Sequence, residues 1–128
     1  MSIEVAVSVG ELLDKITILR IKEERISDAS KLININKELG VLQSQWEGSP
    51  YSKNNLDERI ISLKEVNEKL WDIEDQIRYK EKEREFDKEF IQLARSVYIR
   101  NDERAEIKRI INRKTGSALV EEKSYADY

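Results

Sequence analysis

The sequence contains no cysteine and no histidine. Their absence excludes disulfides, thiolate nucleophiles, Cys/His zinc sites and any general base or triad built on imidazole. A single proline and four glycines leave little punctuation for a chain of many short strands. No apolar run approaches the roughly 20 residues of a membrane-spanning helix. Glu4 stands where a signal peptide would carry a basic segment ahead of an apolar one. Charge of one sign is also lacking. A net charge of −3 offers no bulk attraction to nucleic acid or to an anionic membrane. With no targeting segment and no cysteine, the expected location is the cytoplasm.

What is present is charge of both signs. Asp, Glu, Lys and Arg make up 38% of the 128 residues, against about 25% in an average globular protein. Together with plentiful Ile and Leu and few helix breakers, this composition predicts long amphipathic helices within a single domain spanning residues 1–128.

Ile3, Val5 and Val7 alternate with Glu4 and Ala6, which reads as a short extended segment. Ser8 and Glu11 have the S-x-x-E spacing of a capping box, so the first helix is expected to start at Val9. Its apolar stripe is Val9, Leu12, Ile16, Leu19 and Ile26. Ser27-Asp28 forms a turn and N-cap for a second helix carrying Leu32, Ile35, Leu39, Leu42 and Trp46. That helix ends before Gly48-Ser49-Pro50. Asn55 and Glu58 are expected to cap a third helix with Leu56, Ile60, Leu63, Val66, Leu70, Ile73 and Ile77. A tight connection near Arg84 to Asp87 leads to a fourth helix, which Asn101-Asp102 would allow to break and which ends at Gly116. Ser117 to Tyr128 is a tail, and its Leu119, Val120, Tyr125 and Tyr128 argue that it docks.

The expected fold is therefore all-α: two antiparallel helical hairpins forming a four-helix bundle, with an N-terminal extended segment and a docked C-terminal tail. The hairpins do not match in length. Helices of about 19 residues in the first pair span roughly 28 Å, and helices of about 28 in the second span roughly 42 Å. The longer hairpin must overhang, so its apolar stripe needs a cover.

The chain resembles a bacterial family of short uncharacterised proteins described only as a domain of unknown function. The stretches that carry the resemblance are VSVGELLDKITIL (Val7 to Leu19), LWDIED (Leu70 to Asp75), LARSVYIRNDERAEIKRIIN (Leu93 to Asn112) and GSALVEEKSYADY (Gly116 to Tyr128). The resemblance implies that these segments are family features, and it implies no activity.

Three constellations carry potential chemistry. Glu65, Glu68, Asp72 and Asp75 share one face of the third helix and are candidate ligands for magnesium, a hard cation suited to carboxylate oxygens. The plainer reading pairs them with cations, Asp75 falling near Arg95 if the turn centres near residue 85. Arg100, Arg104 and Lys108 form a basic stripe suited to phosphate or another anion. Interleaved Asp102, Glu103 and Glu106 dilute it and argue against nucleic-acid binding. Glu11, Asp14, Lys15 and Thr17 on the first helix either serve caps and surface pairs, the favoured reading, or line a bundle pocket with Glu121, Lys123 and Tyr125. Trp46 and Trp71 read as core rather than as ligand-stacking residues.

Taken together, these features favour a non-catalytic helical interaction or assembly protein, a homo-oligomer with a further protein partner also open. No cofactor is expected on that reading. The alternative is a magnesium-dependent enzyme acting on a nucleotide or another phosphorylated small molecule through the acidic face of the third helix.

Overall fold

The computed structural model describes residues 1–128. It holds four α-helices and no strand: α1 Val9–Arg25, α2 Ala29–Glu47, α3 Asp57–Lys82 and α4 Lys88–Thr115, with a 3₁₀ turn at Pro50–Lys53. No helix is long and apolar enough to cross a membrane. The all-α bundle read from the sequence is the architecture observed. Ile3 to Val7, however, form no strand and lie exposed ahead of α1.

Local chemistry sets the helix ends. Ser8 Oγ accepts from the Glu11 backbone N–H at 3.1 Å, and Asp28 Oδ1 accepts from Ser30 and Lys31 N–H at 2.9 and 3.1 Å. The capping box at Ser8 is only half formed, because the Glu11 carboxylate is drawn to Lys108 instead. α3 starts later than the Asn55–Glu58 spacing suggests. Leu56, only 2% exposed, takes the cap position because it is needed in the core. Asp87 caps α4 by accepting from the Phe90 N–H at 2.9 Å. The break that Asn101-Asp102 would allow does not occur. Two residues of mediocre helix propensity cost only about 1 kcal/mol together, and packing of the following turns against α1 holds the helix straight through to Thr115. Gly116 ends it with φ +65°, the left-handed C′ conformation that glycine adopts without strain.

α1 is the hub, packing against α2, α3 and α4, while α3 and α4 pack on each other. Its buried residues include Val9, Leu13, Asp14, Ile16, Thr17, Leu19 and Ile21, which cover more than half of the helix circumference rather than one stripe. The core proper joins Leu13, Ile16 and Leu19 to Leu39, Trp46, Leu56, Leu63, Val66 and Ile111. Trp46 is core as expected, whereas Trp71 is only half-buried, beneath the Arg25 guanidinium at 5.8 Å.

Where α1 crosses α4, Gly10 lets the backbones approach. A Cβ there would lie 2.8 Å from the Lys108 carbonyl oxygen and 3.1 Å from its Cα, both backbone atoms that cannot rotate away. Gly10 N–H also donates to Asn112 Oδ1 at 2.7 Å.

Past Asp72, where the last turn of α1 ends, α3 and α4 continue with only the tail beside them at Tyr98 and Asp102. No residue from Glu68 to Ile107 is buried, although both of the longest helices run through this stretch. The tip of the resulting arm is tied by Lys80, whose ammonium group reaches Glu85, Asp87 and Glu89 at 3.0–3.1 Å.

Two glycine substitutions separate packing from propensity. Gly40 lies on an exposed turn of α2 with nothing within 4 Å of an added Cβ. Gly40→Ala should stabilise the protein by about 0.5–1 kcal/mol, while Gly10→Ala should destabilise it by about 1–3 kcal/mol through overpacking. Urea midpoints of the two variants check this, with shifts expected in opposite directions.

Candidate functional site: a charged seam between α1 and α4

One face of α1 carries carboxylates where an apolar stripe would be expected, and α4 meets it with cations. Asp14 is 1% exposed. Arg104 grips it from two nitrogens, Nε at 2.9 Å from Oδ1 and Nη2 on Oδ2. Asn67 of α3 donates from Nδ2 to Asp14 Oδ1 at 2.8 Å and to Thr17 Oγ1 at 3.0 Å. Thr17 in turn donates to the Asp14 carbonyl at 2.8 Å. One carboxylate thus ties three helices together. A buried ion pair brings little net stability, since desolvation offsets its attraction. Breaking it by removing one partner typically costs about 3–5 kcal/mol.

One turn further along α4, the Lys108 ammonium is 8% exposed and bonds Glu11 at 2.5 Å and Glu121 of the tail at 2.8 Å. Asp14 stands 4.0 Å away. Burial alone would push this amine down. Its bonds to Glu11 and Glu121, helped by the Asp14 charge, outweigh that and hold it above its ordinary value. The bond to Asp14 likewise raises Arg104 despite its desolvation. The same Lys108 bond holds the Glu121 carboxyl below its usual range. Beside these groups lies a cavity of about 180 Å³ walled by Glu11, Arg104, Ala105, Lys108, Glu121 and Lys123.

The tail reaches this seam by folding back along α4. Ser117 Oγ accepts from the Val9 N–H at 3.3 Å. Further along, the Tyr128 hydroxyl donates to Asp102 at 2.5 Å and its ring meets Tyr98 edge-on at 5.0 Å. The tail is therefore docked, though every residue from 118 to 128 stays exposed.

The structure sorts the residues singled out from the sequence. Glu11 makes the expected pair with Lys15, but Asp14 and Thr17 are buried rather than surface residues. Glu11, Asp14 and Thr17 all join Arg104, Lys108, Glu121 and Lys123 at the seam, and Glu11 pairs with Lys15 at 3.8 Å as well as with Lys108. Tyr125 lines a separate cleft beneath the tail. Of the basic stripe, Arg104 and Lys108 face the seam, while Arg100 turns to Glu103 on its own helix at 2.7 Å. The acidic stripe on α3 is split. Asp72 and Glu68 face Arg25 of α1 at 2.6 and 3.8 Å, while Glu65 and Asp75 lie exposed. Nowhere do three carboxylates converge in the geometry of a cation site. The cation that meets Asp72 comes from α1, not from Arg95 of the facing helix, because α1 lies along the hairpin and its basic last turn ends beside Asp72.

A family model described as a family of unknown function, DUF6165, matches residues 1–128. The chain belongs to DUF6165. No curated protein and no solved structure matches it. Asn67 and Asn112, which complete the seam of this DUF6165 member, escaped the sequence reading. A lone asparagine inside a helix carries no spacing signal until its partner is placed.

The depressed Glu121 carboxyl fixes the sign of a pH effect. Docking of the tail should be complete above the ordinary glutamate value of 4.5 and should weaken as pH falls through the lower value of the docked state. Amide NMR signals of Leu119 to Tyr128 followed across the carboxylate range check this. They should move toward disordered shifts in acid while the signals of α1 stay in place. Tail signals that do not change would show that Glu121 does not hold it.

Proposed function

We propose that this protein is a non-catalytic helical assembly module that self-associates through the arm formed by the outer halves of α3 and α4. The observation that carries the reading is the absence of any buried residue between Glu68 and Ile107. A lone two-helix hairpin cannot bury the apolar residues of both helices. Leu70, Ile73, Ile77, Phe90, Leu93 and Val97 are half-buried along the arm, and Tyr79, Phe86, Ile91 and Ile99 stand exposed. The tail offers little cover, since its last residue reaches only to Tyr98 and Asp102.

A second arm packed antiparallel on the first would complete a four-helix arrangement and bury these residues. Such a two-fold interface is the commonest form of homo-oligomer. The charges of the arm do not oppose it. Lys69, Arg78, Lys82 and Arg95 are interspersed with Glu74, Asp75 and Glu81, so two arms can meet without a block of like charge.

Sedimentation equilibrium at micromolar concentration should give a mass above the 15.1 kDa of one chain. Ile91→Asp combined with Phe86→Asp should return the protein to monomer with little loss of stability, because both side chains are exposed in the single chain. A wild type that sediments as a monomer contradicts the proposal.

A further inference from the structure

The tail is held at the seam by charge rather than by its apolar residues. Leu119 and Val120, immediately before Glu121, remain 45% and 51% exposed, and Glu121, itself 44% exposed, turns its carboxylate onto Lys108. A tail with a purely structural role would gain more by burying the leucine and the valine. Glu121 instead occupies a place that suits an anion. It accepts from Lys108 Nζ at 2.8 Å, with the Arg104 guanidinium one helical turn away and Lys123 on the cavity wall.

The two sides of this contact are anchored very differently. Lys108 and Arg104 are held by Glu11 and Asp14 of the central helix, Asp14 buried and Glu11 sharing the cavity wall with them. Glu121 sits on an exposed strand of chain, and its nearest polar anchors are Ser117 on one side and Tyr128 on the other. Segments with few buried contacts open at low cost. When Glu121 leaves, Lys108 keeps Glu11 but frees one N–H. Arg104 keeps Asp14, and its Nη1 has only a 3.5 Å contact with Asn101, while its side chain lines the cavity beside Glu121. The cavity beside Glu121, about 180 Å³, exceeds the space a carboxylate needs.

We infer that Lys108 and Arg104 form a binding site for a small anionic ligand carrying a carboxylate or phosphate group, that Glu121 fills this site as an internal substitute, and that ligand binding releases the tail. The inference is independent of self-association through the arm, because the seam lies at the opposite end of α4 from the arm tip.

The test titrates the full-length protein with inorganic phosphate and, separately, with succinate, using sodium chloride at matched ionic strength as the reference. Amide NMR reports both the seam (Gly10, Lys108) and the tail (Leu119 to Tyr128). Glu121→Gln keeps the shape of the side chain and removes its charge, and its exposed position leaves folding intact. Phosphate or succinate should shift the seam signals saturably and bring the tail signals to disordered values, while chloride should not. Glu121→Gln should bind the same anion at least about fivefold more tightly, because the internal competitor no longer holds the site. A response to phosphate alone or to succinate alone names the group recognised and supports the site. Shifts that chloride reproduces, no saturable binding of either anion by Glu121→Gln, or equal affinity in wild type and variant would each overturn it.

Discussion

Asp14 is a carboxylate with almost no contact with water, and the packing of α1 turns on how its charge is met. Arg104 comes from α4 and Asn67 from α3, so the same two oxygen atoms join the central helix to both arms of the hairpin. The hydrophobic core around Leu13, Leu63 and Ile111 supplies most of the favourable burial. Apolar contacts are not directional, however, and α1 could slide or rotate against the hairpin at small cost if they acted alone. The guanidinium fork and the asparagine amide accept only one register. Gly10 reinforces it, since an added Cβ there would meet the backbone of α4 at Lys108. A buried ion pair with these added hydrogen bonds thus contributes specificity more than net stability.

Much of the architecture was legible in the chain because helix ends announce themselves locally. Ser8, Asp28 and Gly116 act where their chemistry predicts, and the three-four spacing of Ile35, Leu39, Leu42 and Trp46 maps onto the face that α2 presents to α1. The site was less legible, for a physical reason. A carboxylate on a helix surface and a carboxylate buried against an arginine ninety residues away look the same in sequence. Asp14 and Thr17 therefore read as surface residues until α4 was placed over them. The acidic stripe on α3 misled in the opposite sense. Its regular spacing is real, but α1 arrives beside it with Arg25 and divides it. The Asn55–Glu58 cap failed because a core leucine outweighed a capping bond worth about 1 kcal/mol.

The seam and the arm divide the work along α3 and α4. Near the base the hairpin is filled by α1, and there Asp14, Asn67, Lys108 and Asn112 find partners within the chain. Further out, no element of the same chain covers it, and apolar residues reach the surface. The tail follows the first of these patterns. It returns along the inner half of α4 and stops at Tyr98, so the outer half of the arm stays open. The exposed apolar arm and the charge-held tail contact thus lie toward opposite ends of α4.

The claim on which the rest depends is that the Asp14–Arg104 pair acts as one unit in positioning α1. A double-mutant cycle measures it directly: urea unfolding of wild type, Asp14→Asn, Arg104→Met and the double variant. Each single variant should be strongly destabilised, and the double variant should recover part of the loss, with a coupling energy of about 2 kcal/mol or more. Additive losses, with coupling near zero, would contradict the account and leave the hydrophobic core as the sole determinant of where α1 lies.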